Sequence, residues 1–268
     1  MRPAVAFVVG AVAGAIAVYE RRARRAAERF AAASLETLLN AIDANDSQTG
    51  AHVRRVATYA LVIAEAAGLT RRECQNVERV ALFHDIGKIH EALFDIIHDE
   101  TKLTAEDRRA IATHPRRGAE VLAPLCGFYP ELADGVLSHH ERWDGTGYPR
   151  RLRGERIPLT ARVVTIADTL DAITHSRRYR DARGARHAAD AIAAERGGQF
   201  DPELVDLVLL PPVWERIVEA HREAHRRARA HPERREGRRE RPVPQVKFRW
   251  RREAAESPAR PQPPQTRQ

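Results

Sequence analysis

Cysteine is nearly absent from this 268-residue chain: Cys74 and Cys126 stand far apart, with no CxxC pair. That excludes a disulfide-built scaffold and a cysteine-rich zinc module, and it fits a reducing compartment. Internal repeats are also absent. Long uncharged runs are scarce; one covers the sixteen residues from Ala4 to Tyr19. As a helix this run spans ~24 Å at 1.5 Å per residue, short of the ~30 Å hydrocarbon core. Charge before it is lacking too. Arg2 alone precedes it, whereas Arg21, Arg22, Arg24, Arg25 and Arg29 follow, the reverse of a cleaved signal peptide. The flanks favour a single-pass anchor over residues 1–30, in the inner membrane with its C-terminal side in the cytoplasm; a signal peptide and a buried helix are the alternatives. Gly10 and Gly14 form a weak GxxxG pattern for helix pairing, and a homodimer is the expected self-association.

What is present argues for a packed domain. Hydrophobic residues make up 43% and charged residues 31% of the chain, which excludes wholesale disorder. The net charge of +8 is unevenly spread. Residues 222–268 hold 15 Lys/Arg against 6 Asp/Glu and residues 1–30 hold 6 against 2, leaving 24 against 29 in the middle. The body is therefore acidic, and no specific nucleic acid is expected as a partner. The tail has seven prolines in 231–268 and dense arginine, a composition of disorder. Its Phe248 and Trp250 among Lys247, Arg249, Arg251 and Arg252 suit lipid headgroups, a solvated tail or, more weakly, nucleic acid.

The patterning is helical almost throughout. Val53, Val56, Ala60, Ile63 and Ala67 recur at three-and-four spacing and define one apolar face. Thr70 with Glu73 reads as a capping box, Thr104 with Asp107 as a second, and Asp201-Pro202 as an N-cap followed by proline. Gly145, Gly147, Pro149, Gly154 and Pro158 mark one long loop. The expectation is an all-α body over residues 31–215, a helix over 216–230 and a disordered tail from 231.

Several polar residues sit in apolar surroundings. His84-Asp85 ends an apolar stretch, His52 opens an earlier helix, His114 precedes Pro115, His139 and His140 are adjacent, and Asp168 lies within Val-Val-Thr-Ile-Ala-Asp. Buried imidazole and carboxylate need pairing, hydrogen bonds or a metal. Histidine and aspartate without thiolate suit iron, manganese, cobalt or nickel, and a pair of such ions activates water against a phosphoryl group. Taken singly, each residue has a plainer reading as a hydrogen-bonded core residue or a helix cap. Their joint occurrence is the signal.

These residues resemble a known family. His84-Asp85-Ile86-Gly87-Lys88 matches the HD phosphohydrolase signature. The run His139-His140-Glu141-Arg142-Trp143-Asp144-Gly145-Thr146-Gly147-Tyr148-Pro149 matches the element that defines its HD-GYP branch. The similarity continues through Ile157-Pro158-Leu159, Ala167-Asp168 with Asp171-Ala172, Arg177 to Arg180, and Gln199-Phe200-Asp201-Pro202-Glu203. It implies an HD-type helical bundle with an added GYP loop that hydrolyses cyclic di-GMP, either stopping at pGpG or going on to GMP. It further implies two divalent ions, iron or manganese, held by His52, His84, Asp85, His114, His139, His140 and Asp168, with Asp85 between them. By the same resemblance Lys88, Arg177 and Arg180 bind phosphate. From the residues themselves, Asp144 or a protonated histidine is the group to assist the leaving group, and Tyr148 either touches the substrate or packs on the base of its own loop.

Two departures stand out. Gln48 replaces the glutamate that holds a third ion in some members, and His90-Glu91-Ala92-Leu93 replaces a common Gly-Ile-Pro-Asp. The rival readings are an HD hydrolase acting on another nucleotide, a cyclic di-GMP-binding receptor, and a scaffold that docks a diguanylate cyclase.

Overall fold

The structure, a computed structural model, describes residues 2–89, 104–175 and 183–230, and in these residues it is helical with no strand. Arg177, Arg180, the segment 90–93 and the basic tail lie outside the described residues.

Helix α1 runs unbroken over Arg2–Asn45, so it crosses residue 30 without a break. Its C-terminal part packs Ala31, Leu35 and Ile42 inward, whereas Tyr19 and Phe30 are exposed. The expected inner-membrane location is overturned here, and the anchor expected over residues 1–30 finds no support in the fold. Among the described residues no helix is long and apolar enough to cross a membrane. The physical reason is length: the apolar run is too short, and Glu20, Arg21 and Arg22 follow it within the same helix.

Helix α2 spans Ser47–Ala66 and starts at an aspartate cap, with Asp46 accepting from the amides of Gln48 at 2.9 Å and Thr49 at 3.0 Å. Helix α3, Arg71–Phe83, opens with the Thr70–Glu73 capping box, and a 3₁₀ turn over Ile86–Ile89 follows it. Helix α4, Ala105–Ile111, has the matching Thr104–Asp107 box. Then come α5 over His114–Leu122, α6 over Leu132–Ser138 and α7 over Leu159–His175. Arg183–Ala194 forms α8, and α9, Pro202–Val208, starts at the Asp201 cap. Helix α10, Pro211–Ala230, begins ahead of residue 216 and buries Val213 and Ile217 in the common core.

Helix α2 is the hub, packed against α1, α3, α7 and α10. Val53, Val56, Ala60 and Ile63 are fully buried on its expected face, while Ala67 caps the helix and is exposed. Val56, Ala60 and Ile63 meet Val77, Val80 and Ala81 of α3 and Val163, Ile166 and Leu170 of α7 in one cluster. Each such aliphatic side chain contributes ~1.5–3 kcal/mol on burial, so this core fixes the mutual positions of α2, α3 and α7. Gly87 fixes a second junction. A Cβ there would lie 2.1 Å from the His114 carbonyl oxygen and 2.7 Å from the Gly118 amide. Only glycine lets the turn after His84-Asp85 press against the start of α5.

Candidate metal centre

Helix ends converge on the expected residues. His52 is in the first turns of α2, His84 caps the C-terminus of α3, His114 starts α5, His139 caps the C-terminus of α6, and Asp168 lies in α7. The last turn of a helix leaves carbonyls without amide partners, and three of the histidines are anchored to such groups. His84 Nδ1 lies 2.8 Å from the Ala81 carbonyl, His114 Nδ1 2.7 Å from that of Ile111, and His139 Nδ1 2.7 Å from that of Val136. A carbonyl only accepts, so Nδ1 carries the proton and donates, and Nε2 presents a lone pair.

Those lone pairs point at one carboxylate. Asp85 Oδ2 is 3.5 Å from His84 Nε2 and 3.8 Å from His52 Nε2. Its Oδ1 is 3.3 Å from His114 Nε2 and 4.0 Å from His139 Nε2. Asp168 Oδ1 sits 3.3 Å from His52 Nε2 and 3.9 Å from His84 Nε2. His114 Nε2 and His139 Nε2 approach to 3.1 Å. His84 Nε2 and Asp85 Oδ1 are buried with no hydrogen-bond partner. Facing acceptors without donors in a buried space are costly, and a cation between them removes the cost. Two donor groups satisfy the spacing: His52, His84 and Asp85 form one, and His114, His139 and His140 form the other. The donor set therefore fits divalent metal ions, with imidazole nitrogen and carboxylate oxygen and no sulfur.

Charges follow the same division. Burial opposes protonation of His52, but Asp168, Asp171 and Asp85 outweigh it and raise its pKa to about 10. His140 is pushed down to about 4 by burial and the neighbouring His114, and His139 falls well below the ordinary histidine range. Burial would raise the Asp85 carboxyl, yet Lys88, His84 and His114 hold it well below the usual carboxylate range. Lys88 Nζ lies 2.7 Å from Asp85 Oδ2, so the expected phosphate lysine contacts the central carboxylate directly.

The long loop stands over the His140 side. The Tyr148 ring stacks on His140 with centroids 4.9 Å apart, and burial together with Asp85 and Asp168 pushes its hydroxyl up to about 12. Tyr148-Pro149 is cis. A Cβ on Gly147 would lie 2.4 Å from the Arg142 amide, so the loop folds back on its own start. Asp144 is used within the loop: Oδ1 accepts from the Thr146 amide at 2.9 Å and hydroxyl at 2.6 Å, and Oδ2 from Arg142 at 3.1 Å. The Thr146 bonds lead the causes that hold Asp144 at about 2. It is an acceptor, ionised at neutral pH.

Three supports escaped the sequence reading. Glu141, only 2% exposed, accepts from the amides of Arg150 at 2.7 Å and Leu152 at 3.0 Å and pins the loop. Arg142 ties Asp144 to Glu195 and Gln199, while the amides of Trp143 and Asp144 donate to the carbonyls of Gln199 and Gly198. Thr165 donates to the His139 carbonyl at 2.7 Å. A motif spacing reveals no long-range partner, so none of these contacts was readable beforehand. A cavity of 340 Å³ lined by Leu69, Glu73, Val77, Pro130, Glu131 and Asp134 contains none of the cluster residues; donor geometry locates the site, and cavity size does not.

An all-helical body with a buried histidine–aspartate centre defines a class, the metal-dependent HD hydrolases. Comparison agrees: the HD domain model matches residues 36–204, and the chain belongs to that family. It is similar to the cyclic di-GMP phosphodiesterase response regulator RpfG of Xanthomonas campestris, at 38% identity over 66% of this chain and 47% of that protein. It is also similar to the 3′3′-cGAMP-specific phosphodiesterase 2 of Vibrio cholerae, at 37% identity over 64% of this chain and 33% of that protein. The chain thus spans between a third and a half of the length of these curated relatives. In fold it resembles the HD domain of the L. monocytogenes phosphodiesterase PgpH, with a TM-score of 0.51 at 18% identity, covering 70% of this chain and 98% of that one.

Proposed function

We propose that this chain hydrolyses the phosphodiester bonds of cyclic di-GMP, giving linear pGpG and, where the second bond is also cleaved, GMP, with catalysis in residues 31–215. The observation that carries the reading is Asp85, whose two oxygens face different imidazole sets across unpartnered buried atoms. On this reading His52, His84, Asp168 and Asp85 Oδ2 would hold one divalent ion, and Asp85 Oδ1, His114, His139 and His140 a second. Iron or manganese suits these donors. Gln48, exposed and neutral, supplies no carboxylate for a third. When bound, the ions supply Lewis-acid polarisation of the phosphoryl group and a lowered pKa for water.

The chain's own groups do the rest. Lys88, held beside Asp85, faces a non-bridging phosphate oxygen as a point charge. Arg177 and Arg180 take the second phosphate. Tyr148, neutral at working pH, donates a hydrogen bond from the face of His140. Asp144 positions the loop through Arg142 and Thr146. In the reaction a water oxygen bonds to phosphorus, the bond from phosphorus to the ribose 3′-oxygen breaks, and the proton lost by water balances the one gained by that oxygen.

One observation favours a second substrate: the relatives that act on cyclic di-GMP and on 3′3′-cGAMP match this chain about equally, at 38% and 37%. The test presents both dinucleotides to the anaerobically metal-loaded chain and separates the products. Linear dinucleotide from cyclic di-GMP supports the proposal, and preference for 3′3′-cGAMP selects the second substrate. Cleavage of neither, with turnover of a nucleotide mono- or triphosphate or with binding alone, overturns it.

A further inference from the structure

Three of the four best-anchored histidines lean on backbone carbonyls, and His52 does not. Its Nδ1 lies 2.7 Å from Asp171 Oδ2, a carboxylate only 1% exposed. Asp171 is in turn gripped by two parallel donors on one edge of a guanidinium: Arg55 Nε donates to Oδ1 at 2.7 Å and Nη2 to Oδ2 at 2.8 Å. Arg55 stands one turn after His52 on α2, and Asp171 stands one turn after Asp168 on α7. Each helix thus carries a donor of the centre at one position and a member of an ion pair three residues on. The pair fastens the two helices at the level where His52 and Asp168 approach to 3.3 Å.

We propose that Arg55 and Asp171 are positioning residues that set metal affinity at the His52/Asp168 half of the centre alone. This rests on the two-ion reading above and goes beyond it, because neither residue offers an atom to the metal. A carboxylate behind an imidazole fixes its tautomer and orientation and raises its basicity as a ligand, and loss of such a partner typically costs ~10–100-fold in metal affinity. The bidentate fork holds Asp171 in one orientation, which a lysine cannot reproduce. The other half has no such dependence, since His114 and His139 are anchored to carbonyls of Ile111 and Val136.

The experiment titrates the metal-free full chain with Co²⁺, following absorbance and competition with a chelator. His52→Ala and His114→Ala assign the two binding events to their halves. Asp171→Asn is expected to weaken the event lost in His52→Ala by ~10–100-fold and to leave the other within about twofold. Arg55→Lys is expected to fall between, and adding Arg55→Met to Asp171→Asn to change little more, because the two act through one contact. Arg55→Lys also keeps the test alive if Asp171→Asn fails to fold. Equal weakening of both events, or no weakening of either, in variants with wild-type helicity and Tm would overturn the proposal while leaving the two-ion reading standing. Absence of Co²⁺ binding by the unmodified chain would overturn both.

Discussion

His52 and His140 are partly buried imidazoles in one cluster, and their pKa values are displaced in opposite directions, to about 10 and about 4. Burial disfavours the charged ring in both. At His52 it is outweighed by Asp168, Asp171 and Asp85, whereas at His140 burial, His114 and Lys88 outweigh the pull of Asp85 and Asp168. The mechanical supports differ in the same way. The His52 half is fastened by an ion pair between α2 and α7, and the His140 half by a loop folded over it. Residue type alone therefore says little about the state of a ligand. The company it keeps decides whether the site receives it as a cation or as a lone pair.

Asp85 belongs to both halves, so its loss is the largest expected effect. Asp85→Ala should lower cyclic di-GMP hydrolysis by about a thousandfold or more and strip the metal, because among the described residues no other carboxylate faces both imidazole sets. Far-UV circular dichroism should stay near wild type. Turnover of labelled substrate and elemental analysis check it, and wild-type turnover in the metal-loaded variant would remove the basis for the two halves.

Next in size are the single-half variants. His114→Ala and His52→Ala should each retain about half of the wild-type metal content after anaerobic preparation, on the reading that Asp85 serves two ions. Complete loss in both would show that the halves fill only together, and the comparison would become one cooperative site.

Gly147→Ala sharpens the contrast in support. An added Cβ would collide with the Arg142 amide at 2.4 Å and the Glu141 Cα at 2.6 Å, both backbone atoms that cannot swing aside. The loop should shift off His140 at a cost of about 1–3 kcal/mol, lowering Tm and turnover. Metal at the His52 half should be unaffected, as Co²⁺ titration would show.

Much of this was legible in the sequence because it depends on short-range chemistry. The capping boxes at Thr70 and Thr104 and the Asp201 cap lie where residue type and spacing place them. The α2 face at Val53, Val56, Ala60 and Ile63 is likewise a matter of period. The donor residues were named by motif, and the fold brings all seven together. What stayed hidden is long-range: Arg55 and Asp171 are 116 positions apart, and Arg142 and Glu195 are 53. The membrane reading failed for another reason. The arginines that flank the run argue for orientation only, whereas crossing a bilayer is decided by length, and α1 turns charged too soon.

The expected effect with no substitution at all is the pH dependence of the chelated, metal-free chain. His52 has a folded pKa of about 10 against an ordinary 6.5, so its contribution is complete below 6.5 and is lost as pH rises through 10. His140 shifts the other way, to about 4. Between pH 6.5 and 4 the unfolded chain binds a proton there that the folded chain refuses, so stability falls as pH falls across that window; His139, displaced in the same direction, adds to the slope. These groups together place the stability maximum near pH 6.5, with Tm declining on both sides by about 2–4 °C for each kcal/mol lost. Thermal melts in EDTA from pH 4.5 to 9.5 measure it. His140→Gln should flatten the acid limb and His52→Gln the alkaline limb. A swap of those two outcomes would reverse the electrostatic contrast between the halves.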